Sequence, residues 1–389
     1  MRLASISFDA YPNHKGAATH IRHVAQALSQ IGELDLVTLP GNNSAESIFT
    51  AGVRHTALPA RGHNLIDRVR WFREALGHWF GLQKMFDAIH FRSIYEGYPI
   101  AKRRNALTRN LIYEVNGLPS VELKYHYPKV ADDEPLLAKL RTQEQFCLHK
   151  ADMIITPSTV TAKYLVRHRG VVSSKIHVIP NGADPQVFTP EFNRSIPKAV
   201  GNATNFLYAG TVAPWQGVDT ILKALKHLLA DSNVSLTLAG PVHKRFRDSI
   251  ESLIDRLGLR RSVKLLGAVP QKALVDLHHE ADAVLAPLKR NDRNCSQGCC
   301  PLKIIEAMSC ASLVIASDLP VVRDIMEDKK HGLLVPPDQI WPWVEAMKRV
   351  VCNDPVLEKM RCCAHEHVVQ NLTWDHASEK LRLAYRSIL

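Results

Sequence analysis

The sequence predicts an α/β fold of two doubly wound, Rossmann-like domains facing a cleft. Three observations lead there. Apolar runs of strand length alternate with amphipathic helical segments along the whole chain, the pattern of parallel sheets covered by helices. The alternation breaks off in one polar stretch around residue 190 and then starts again. At 389 residues the chain is long for one hydrophobic core and suits two.

Taken in order, Leu3–Phe8 reads as a strand. A polar loop, Asp9–Lys15, leads to Gly16, and Ala17–Gln30 is a helix with Ile21, Val24, Ala25 and Leu28 on its apolar face. Leu34–Leu39, Ala88–Phe91, Leu111–Val115 and Met153–Thr156 are further buried strands. Segment Arg61–Lys84 carries Arg68, Arg70, Trp71, Phe72, Arg73, Trp79 and Phe80 and reads as a basic amphipathic helix, whose apolar face belongs either to the core or to a membrane surface. Pro180, Asn181-Gly182 and Asp184-Pro185 then crowd turn residues together, and Thr189–Thr204 is a linker. Afterwards strands are expected at Phe206–Ala209, Ser235–Ala239, Val263–Leu266, Ala283–Ala286, Leu313–Ala316 and Gly332–Val335. Helices fall at Val218–Ala230, Lys244–Leu257 and Gln271–Glu280. The expected domains are 1–190 and 191–372, with a last helix in 373–389 crossing back to the first.

Composition narrows the function. No run of about 18 apolar residues is present, so no transmembrane helix is expected. The first nine residues read as a strand rather than a signal peptide, which points to a cytoplasmic protein. On that reading the sequon Asn202-Ala-Thr204 goes unused and the eight cysteines are reduced thiols. The group Cys295, Cys299, Cys300 and Cys310 lacks paired CxxC spacing and a matching His pair, so no metal is expected. The formal charge of +11 suits nucleic acid, an anionic membrane or a phosphorylated substrate. No basic run interleaved with aromatics supports nucleic acid. No G-x-G-x-x-G follows a strand, which excludes a nicotinamide-dependent oxidoreductase.

The most informative segment runs from Asn294 to Asp318. A loop containing Gly298 leads into Pro301, then a short apolar helix bearing Lys303 and Glu306, then a buried strand. Unpaired N–H groups of a first helical turn attract anions, and Lys303 adds a full charge. Glu306, a turn further on, is placed to accept hydrogen bonds from a hydroxyl-rich group. A phosphate beside a sugar fits that constellation. Leu266-Gly267-Ala-Val-Pro270 follows a strand, at the edge where such sheets bind ligands.

Over nearly its whole length the chain resembles the retaining glycosyltransferases of family 4, with the GT-B fold. The markers are Gly16 before a helix, Ile179-Pro-Asn-Gly-Ala-Asp184, Gly210-Thr-Val-Ala-Pro-Trp-Gln-Gly217, Leu238-Ala-Gly240, Pro301–Met308, Ser317-Asp-Leu-Pro-Val-Val-Arg323 and Gly332-Leu-Leu-Val-Pro-Pro337. The resemblance implies an acceptor-binding first domain and a second domain holding a nucleotide sugar, UDP- or GDP-linked, as co-substrate without cofactor or metal. The donor would meet Gly16, Gly210, Thr211, Gln216, Gly217, Gly240, Gly267, Gly298, Cys299, Cys300, Pro301, Leu302, Lys303 and Glu306. Three departures from the family pattern stand out. Glu306 matches the second glutamate of the family's pair, but the first falls on Gly298, leaving the backbone of Cys299 and Cys300 to grip the sugar. Thr211 and Gln216 stand where many relatives carry Arg and Lys for the diphosphate. Compensation is expected from Lys303, the helix start at Pro301, and Arg290 or Arg293. Asn116 stands near a position where relatives often have His, and is expected to position sugar hydroxyls. Catalytic work thus falls to Asn116, Lys303 and Glu306, and acceptor contacts to His20, Arg92, Glu114 and Glu122, with His90 also at a strand end. The expected acceptor is a glycan, a lipid-linked sugar or a small molecule in cell-surface glycoconjugate synthesis, met at the inner face of an anionic membrane, with no nucleic acid involved. The alternative is a non-catalytic nucleotide-sugar-binding scaffold on the same fold.

Overall fold

The computed structural model describes residues 1–13, 16–41, 52–192 and 203–389. The sequon residue Asn202, most of the expected linker 189–204 and the end of the loop 9–15 lie outside them. The chain forms two compact units. The first comprises Met1–Pro180, Ser296–Cys299 and Asp375–Leu389, and the second comprises Asn181–Cys295 and Cys300–Trp374. The second unit therefore starts before the expected limit at 190. Ala183 bridges Thr373 and donates its N–H to Leu372 O at 2.9 Å, and Phe188 packs with Val275 and Cys310.

The first unit holds seven strands: β1 (Arg2–Tyr11), β2 (Glu33–Pro40), β3 (Val53–Ala57), β4 (Phe86–Phe91), β5 (Thr108–Glu114), β6 (Met153–Thr156) and β7 (Ile176–Val178). All pair in parallel, in the order β3-β2-β1-β4-β5-β6-β7. Its helices are α1 (Gly16–Ser29), α2 (Leu65–Gly81), α3 (Ile94–Lys102), α4 (Arg104–Leu107), α5 (Pro119–His126), α6 (Glu134–Lys150) and α7 (Thr159–Arg169). The second unit has strands β8 (Thr204–Ala209), β9 (Val234–Ala239), β10 (Val263–Gly267), β11 (Ala283–Ala286), β12 (Val314–Ser317) and β13 (Leu333–Val335), ordered β10-β9-β8-β11-β12-β13 and again all parallel. Its helices are α8 (Val218–Leu228), α9 (Arg247–Arg256), α10 (Gln271–Glu280), α11 (Leu302–Ser309), α12 (Pro320–Arg323), α13 (Ile340–Val351) and α14 (Val356–Asn371), and α15 (Trp374–Arg386) follows. Each sheet thus grows outward from its first strand and then reverses. The switch point lies at β1/β4 in one unit and β8/β11 in the other, and ligands bind outside the carboxyl ends of such strands.

Parallel strands covered on both faces should be apolar throughout, and the strand residues divide accordingly. Leu111 and Tyr113 of β5 pack with Phe72, Leu76 and Phe80 of α2. Ile112, one residue out of phase, joins Ile21 and Leu28 of α1 and Leu381, Ala384 and Tyr385 of α15 on the other face. The apolar side of the basic helix therefore belongs to the core, leaving Ile66, Trp71 and Leu82 exposed. The two strands the sequence did not reveal, β3 and β7, sit at opposite edges of the first sheet. Val53-Arg-His-Thr-Ala57 lacks a buried residue, and β7 is three residues long, so neither carries an apolar run. The expected helix over 244–257 opens with a 3₁₀ turn at Lys244–Phe246 before α9.

Strand ends in the second unit approach each other closely. Gly210 and Gly240 adopt φ +143° and +145°, and a Cβ on Gly240 would stand 2.1 Å from Gly210 O. Gly267 has φ +72° but nothing within 4 Å of a Cβ position. Gly240→Ala should therefore cost at least about 3 kcal/mol from combined clash and backbone strain, whereas Gly267→Ala should cost about 1–2 kcal/mol from its left-handed backbone alone. Urea unfolding of both variants, followed by a probe in the second unit, checks the ordering.

Candidate active site

In the second unit, β8 ends at Ala209 and the chain turns through Gly210, whose N–H donates to Ala239 O at 2.7 Å. Gly240 donates in turn to Gly267 O at 2.7 Å, so three strand ends are stitched side by side. Gly217 caps α8 with φ +75°, and a Cβ there would meet Pro287 O at 1.7 Å. Only glycine fits either turn. Helix α11 enters at Pro301, which is its N-cap (φ −77°, ψ 96°) rather than its first helical residue; Leu302 opens the helix. That start puts Lys303 in the first turn and Glu306 one turn later.

Lys303 reaches back over the Gly210 turn. Its Nζ lies 3.1 Å from where a Gly210 Cβ would stand. It donates to Tyr208 Oη at 2.9 Å and to Gln216 Oε1 at 2.6 Å, and it sits 4.4 Å from the centre of the Tyr208 ring. Tyr208 is fully buried and donates its own O–H to Thr211 O at 2.7 Å, so its oxygen receives Lys303 as an acceptor. The ammonium is thus aimed by three contacts, one of them a cation–π contact. Thr211 and Gln216 contribute a carbonyl and an amide oxygen to this arrangement. Glu306 is half-buried, and its carboxylate makes no hydrogen bond among the described residues. Burial pushes its carboxyl up to about 7 against the pull of Lys303. Of the two arginines expected to compensate, Arg290 gives its backbone N–H to Asp338 Oδ2 at 2.9 Å, and Arg293 Nη1 lies 3.4 Å from Asn294 Oδ1.

The loop before α11 joins the first unit over Ser296–Cys299. A π-helical turn, Arg293–Gln297, brings in Gln297, which is fully buried. Gln297 accepts the N–H of Leu118 at 2.8 Å and donates to Glu122 Oε1 at 2.8 Å. Glu122, expected to meet an acceptor, instead holds this loop and also faces His126 Nε2 at 3.4 Å. Gly298 has φ +90°, and a Cβ would fall 2.5 Å from Thr161 Oγ1 and 2.7 Å from Thr161 N. The space a glutamate would need at this position is therefore taken by the start of α7. Cys300 O accepts from Asn181 Nδ2 at 3.1 Å. All eight cysteines are free thiols, and among the described residues no group of three or more His, Cys, Asp or Glu is placed to hold a metal.

In the first unit, Gly16 stands exposed at the start of α1, and the carboxyl ends of β1, β4 and β5 meet around Glu114. This carboxylate is 2% exposed. His20 Nε2 abuts its Oε1, and Asn116 Nδ2 donates to the same oxygen at 2.8 Å. His90 Nε2 lies 2.9 Å and Arg92 Nε 3.4 Å from Oε2. Beyond them, His90 Nδ1 is 2.9 Å from Tyr385 Oη, and Arg92 Nη1 donates to Asp9 Oδ2 at 2.8 Å. Burial alone would raise the Glu114 pKa. The charges of His20 and Arg92 and the hydrogen bonds from His20 and His90 outweigh it and hold the carboxyl well below its ordinary range. His20, Arg92 and Glu114, expected to contact an acceptor, are set against one another. His20 and Glu114 are buried, the Arg92 side chain is nearly so, and the three engage one another, whereas Asn116 at the edge is half-buried.

Sequence reading missed Tyr208, Gln297 and Tyr385. Tyr208 and Tyr385 stand among apolar residues of a strand and a helix, where an aromatic reads as core. Only Gln297, set in a loop rich in Gly and Cys, carried a signal.

Two family models match in tandem. Residues 14–187 match the one described as Glycosyltransferase Family 4, and residues 190–366 the one described as Glycosyl transferases group 1. A D-inositol 3-phosphate glycosyltransferase of Corynebacterium aurimucosum is 22% identical over 99% of this chain and 96% of its own. One from Nocardioides is 26% identical over 76% of this chain and 67% of its own. Among solved structures, sucrose-phosphate synthase from Thermosynechococcus elongatus superposes with TM-score 0.82 at 20% identity, covering 100% of this chain and 99% of that one. HepE from Anabaena in complex with UDP-glucose gives 0.74 at 14% identity, covering both chains fully. Both sheets have the topology of the GT-B glycosyltransferases. The tandem matches, spanning nearly the whole sequence, place this chain in glycosyltransferase family 4.

Proposed function

We infer that this glycosyltransferase moves a hexosyl or N-acetylhexosaminyl unit from a nucleotide sugar to a hydroxyl, retaining the anomeric configuration and using no metal. The observation that carries the reading is Lys303, held against the Gly210 turn by Tyr208 and Gln216, one helical turn ahead of Glu306. A departing nucleoside diphosphate gains negative charge, and a fixed ammonium beside close-approaching backbone N–H groups neutralises it without reorganisation. Relatives place two cations near this turn; here one cation, aimed from α11, takes their part. Glu306 accepts hydrogen bonds from the ribose hydroxyls. UDP is the favoured nucleotide, because the related HepE structure holds UDP-glucose. Asn116 orients hydroxyls of the reactants, and the acceptor is a small phosphorylated molecule, a glycan or a lipid-linked sugar of cell-surface synthesis. Exposed Ile66, Trp71 and Leu82 with Arg70 support a peripheral contact with an anionic membrane on the cytoplasmic side.

Thermal unfolding with UDP, GDP and ADP sugars tests donor use. A specific donor at 100 times its dissociation constant should add about 2.7 kcal/mol. Donor binding without transfer to any acceptor would replace this reading with a scaffold. Lys303→Ala should lower kcat by about 10²–10³-fold, the range for loss of one charge-stabilising group; a near-normal rate would remove Lys303 from the chemistry. With the Glu306 carboxyl at about 7, and the ionised form the better acceptor of two hydroxyl donors, donor affinity should rise with pH, by about fivefold between pH 6 and 8. Calorimetric titration of an intact nucleotide sugar reads this, and Glu306→Gln should abolish the dependence. Vesicles containing phosphatidylserine should bind the chain at low salt, and Trp71→Glu with Leu82→Glu should release it.

A further inference from the structure

We propose that Glu114 is a positioning residue that fixes the side-chain amide of Asn116, so that Asn116 always presents its carbonyl oxygen, a hydrogen-bond acceptor, to a reactant hydroxyl. This rests on the reading of Asn116 as a contact for sugar or acceptor hydroxyls.

An asparagine amide has a donor end and an acceptor end of nearly the same shape, and its neighbours decide which faces outward. Here only one orientation is tenable. Glu114 is surrounded by donors: His20 on α1, His90 at the end of β4, Arg92 just beyond it and Asn116 itself. A buried carboxylate with those neighbours is ionised and accepts only. Asn116 must therefore turn Nδ2 inward, at 2.8 Å, and leave Oδ1 outward. Tyr385 supports this from α15 through His90 Nδ1, and Asp9 on β1 holds Arg92. A titrating histidine at this point would offer a donor or an acceptor according to pH. The Glu114–Asn116 pair offers an acceptor at every pH where Glu114 stays ionised. A permanent acceptor suits a hydroxyl that must lose its proton as it attacks, or a sugar hydroxyl read for its donor direction.

The test compares the wild-type chain with Glu114→Gln, Asn116→Ala, the double variant and Asn116→Asp. Independently of activity, the Asn116 side-chain amide resonance, assigned by its loss in Asn116→Ala, should be protected from hydrogen exchange in the wild type and exposed in Glu114→Gln. An unprotected amide in the wild type overturns the proposal. In transfer assays, Glu114→Gln should lower kcat by about 10–100-fold with the donor KM within about twofold of wild type. It should add nothing to Asn116→Ala; additive losses would show that Glu114 does not act through Asn116. Asn116→Asp covers the case in which Glu114→Gln does not fold. Facing Glu114, with His20, His90, Arg92, Asp9 and Tyr385 behind it, the new carboxyl can mimic the amide only when protonated, donating its O–H to Glu114 and presenting its C=O. Its kcat relative to wild type should therefore rise as pH falls; a ratio independent of pH refutes the proposal. A wild-type chain with a protected amide but no transfer from any nucleotide sugar would sink the functional reading and leave the geometric one standing.

Discussion

The close approach of Gly210 and Gly240 at the ends of β8 and β9 sets the terms for the second unit. Parallel strands bring their carboxyl ends to one edge, and there the two turns are too near for any side chain: a methyl on Gly240 would overlap Gly210 O. The bare backbone that results leaves room above Gly210, and Lys303 fills it. An ammonium so placed needs partners that hold it without neutralising it. Tyr208 supplies a hydroxyl oxygen and a ring face, and Gln216 supplies an amide oxygen. Neither of these two side chains carries charge, so neither cancels the ammonium. An aspartate in place of Gln216 would hold Lys303 equally well and cancel it.

The first unit follows the opposite electrostatic logic. Glu114 is buried deeply enough that its charge would be costly in isolation. Four donors around it convert that cost into order, and they come from α1, the end of β4 and the residues just after β4 and β5, with α15 bracing the set through Tyr385. The final helix is thus part of the site's support, which is why the last fifteen residues belong to the first unit although the chain reaches them from the second. The loop over Ser296–Cys299 shows the same economy. Gln297 satisfies a backbone N–H and a carboxylate with one amide, and Gly298 removes the side chain that would keep the loop off α7.

Much of this was legible in the residue order. The strands β6 and β11 and the helix α10 fall where their apolar pattern puts them, because a buried parallel strand must be apolar along its length and a helix must repeat every three to four residues. Gly210 and Gly240 were legible too, since a glycine directly after a strand marks a turn or a close approach. The edge strands β3 and β7 were not, because an edge half open to water carries no such pattern. Glu114 and Glu122 were visible as carboxylates near the right strand end, but a sequence does not say whether a carboxylate faces solvent or a ring of donors.

Local order along the chain therefore determined the two sheets, the turns at their carboxyl edges, and the short helix carrying Lys303 and Glu306, because periodicity and turn chemistry are properties of neighbours in sequence. Tertiary structure alone decided how that chemistry is aimed. Lys303 and Tyr208 are 95 positions apart, Gln297 and Leu118 are 179, and His90 and Tyr385 are 295. Hydrogen bonds act over about 3 Å, and only folding brings such residues within that reach.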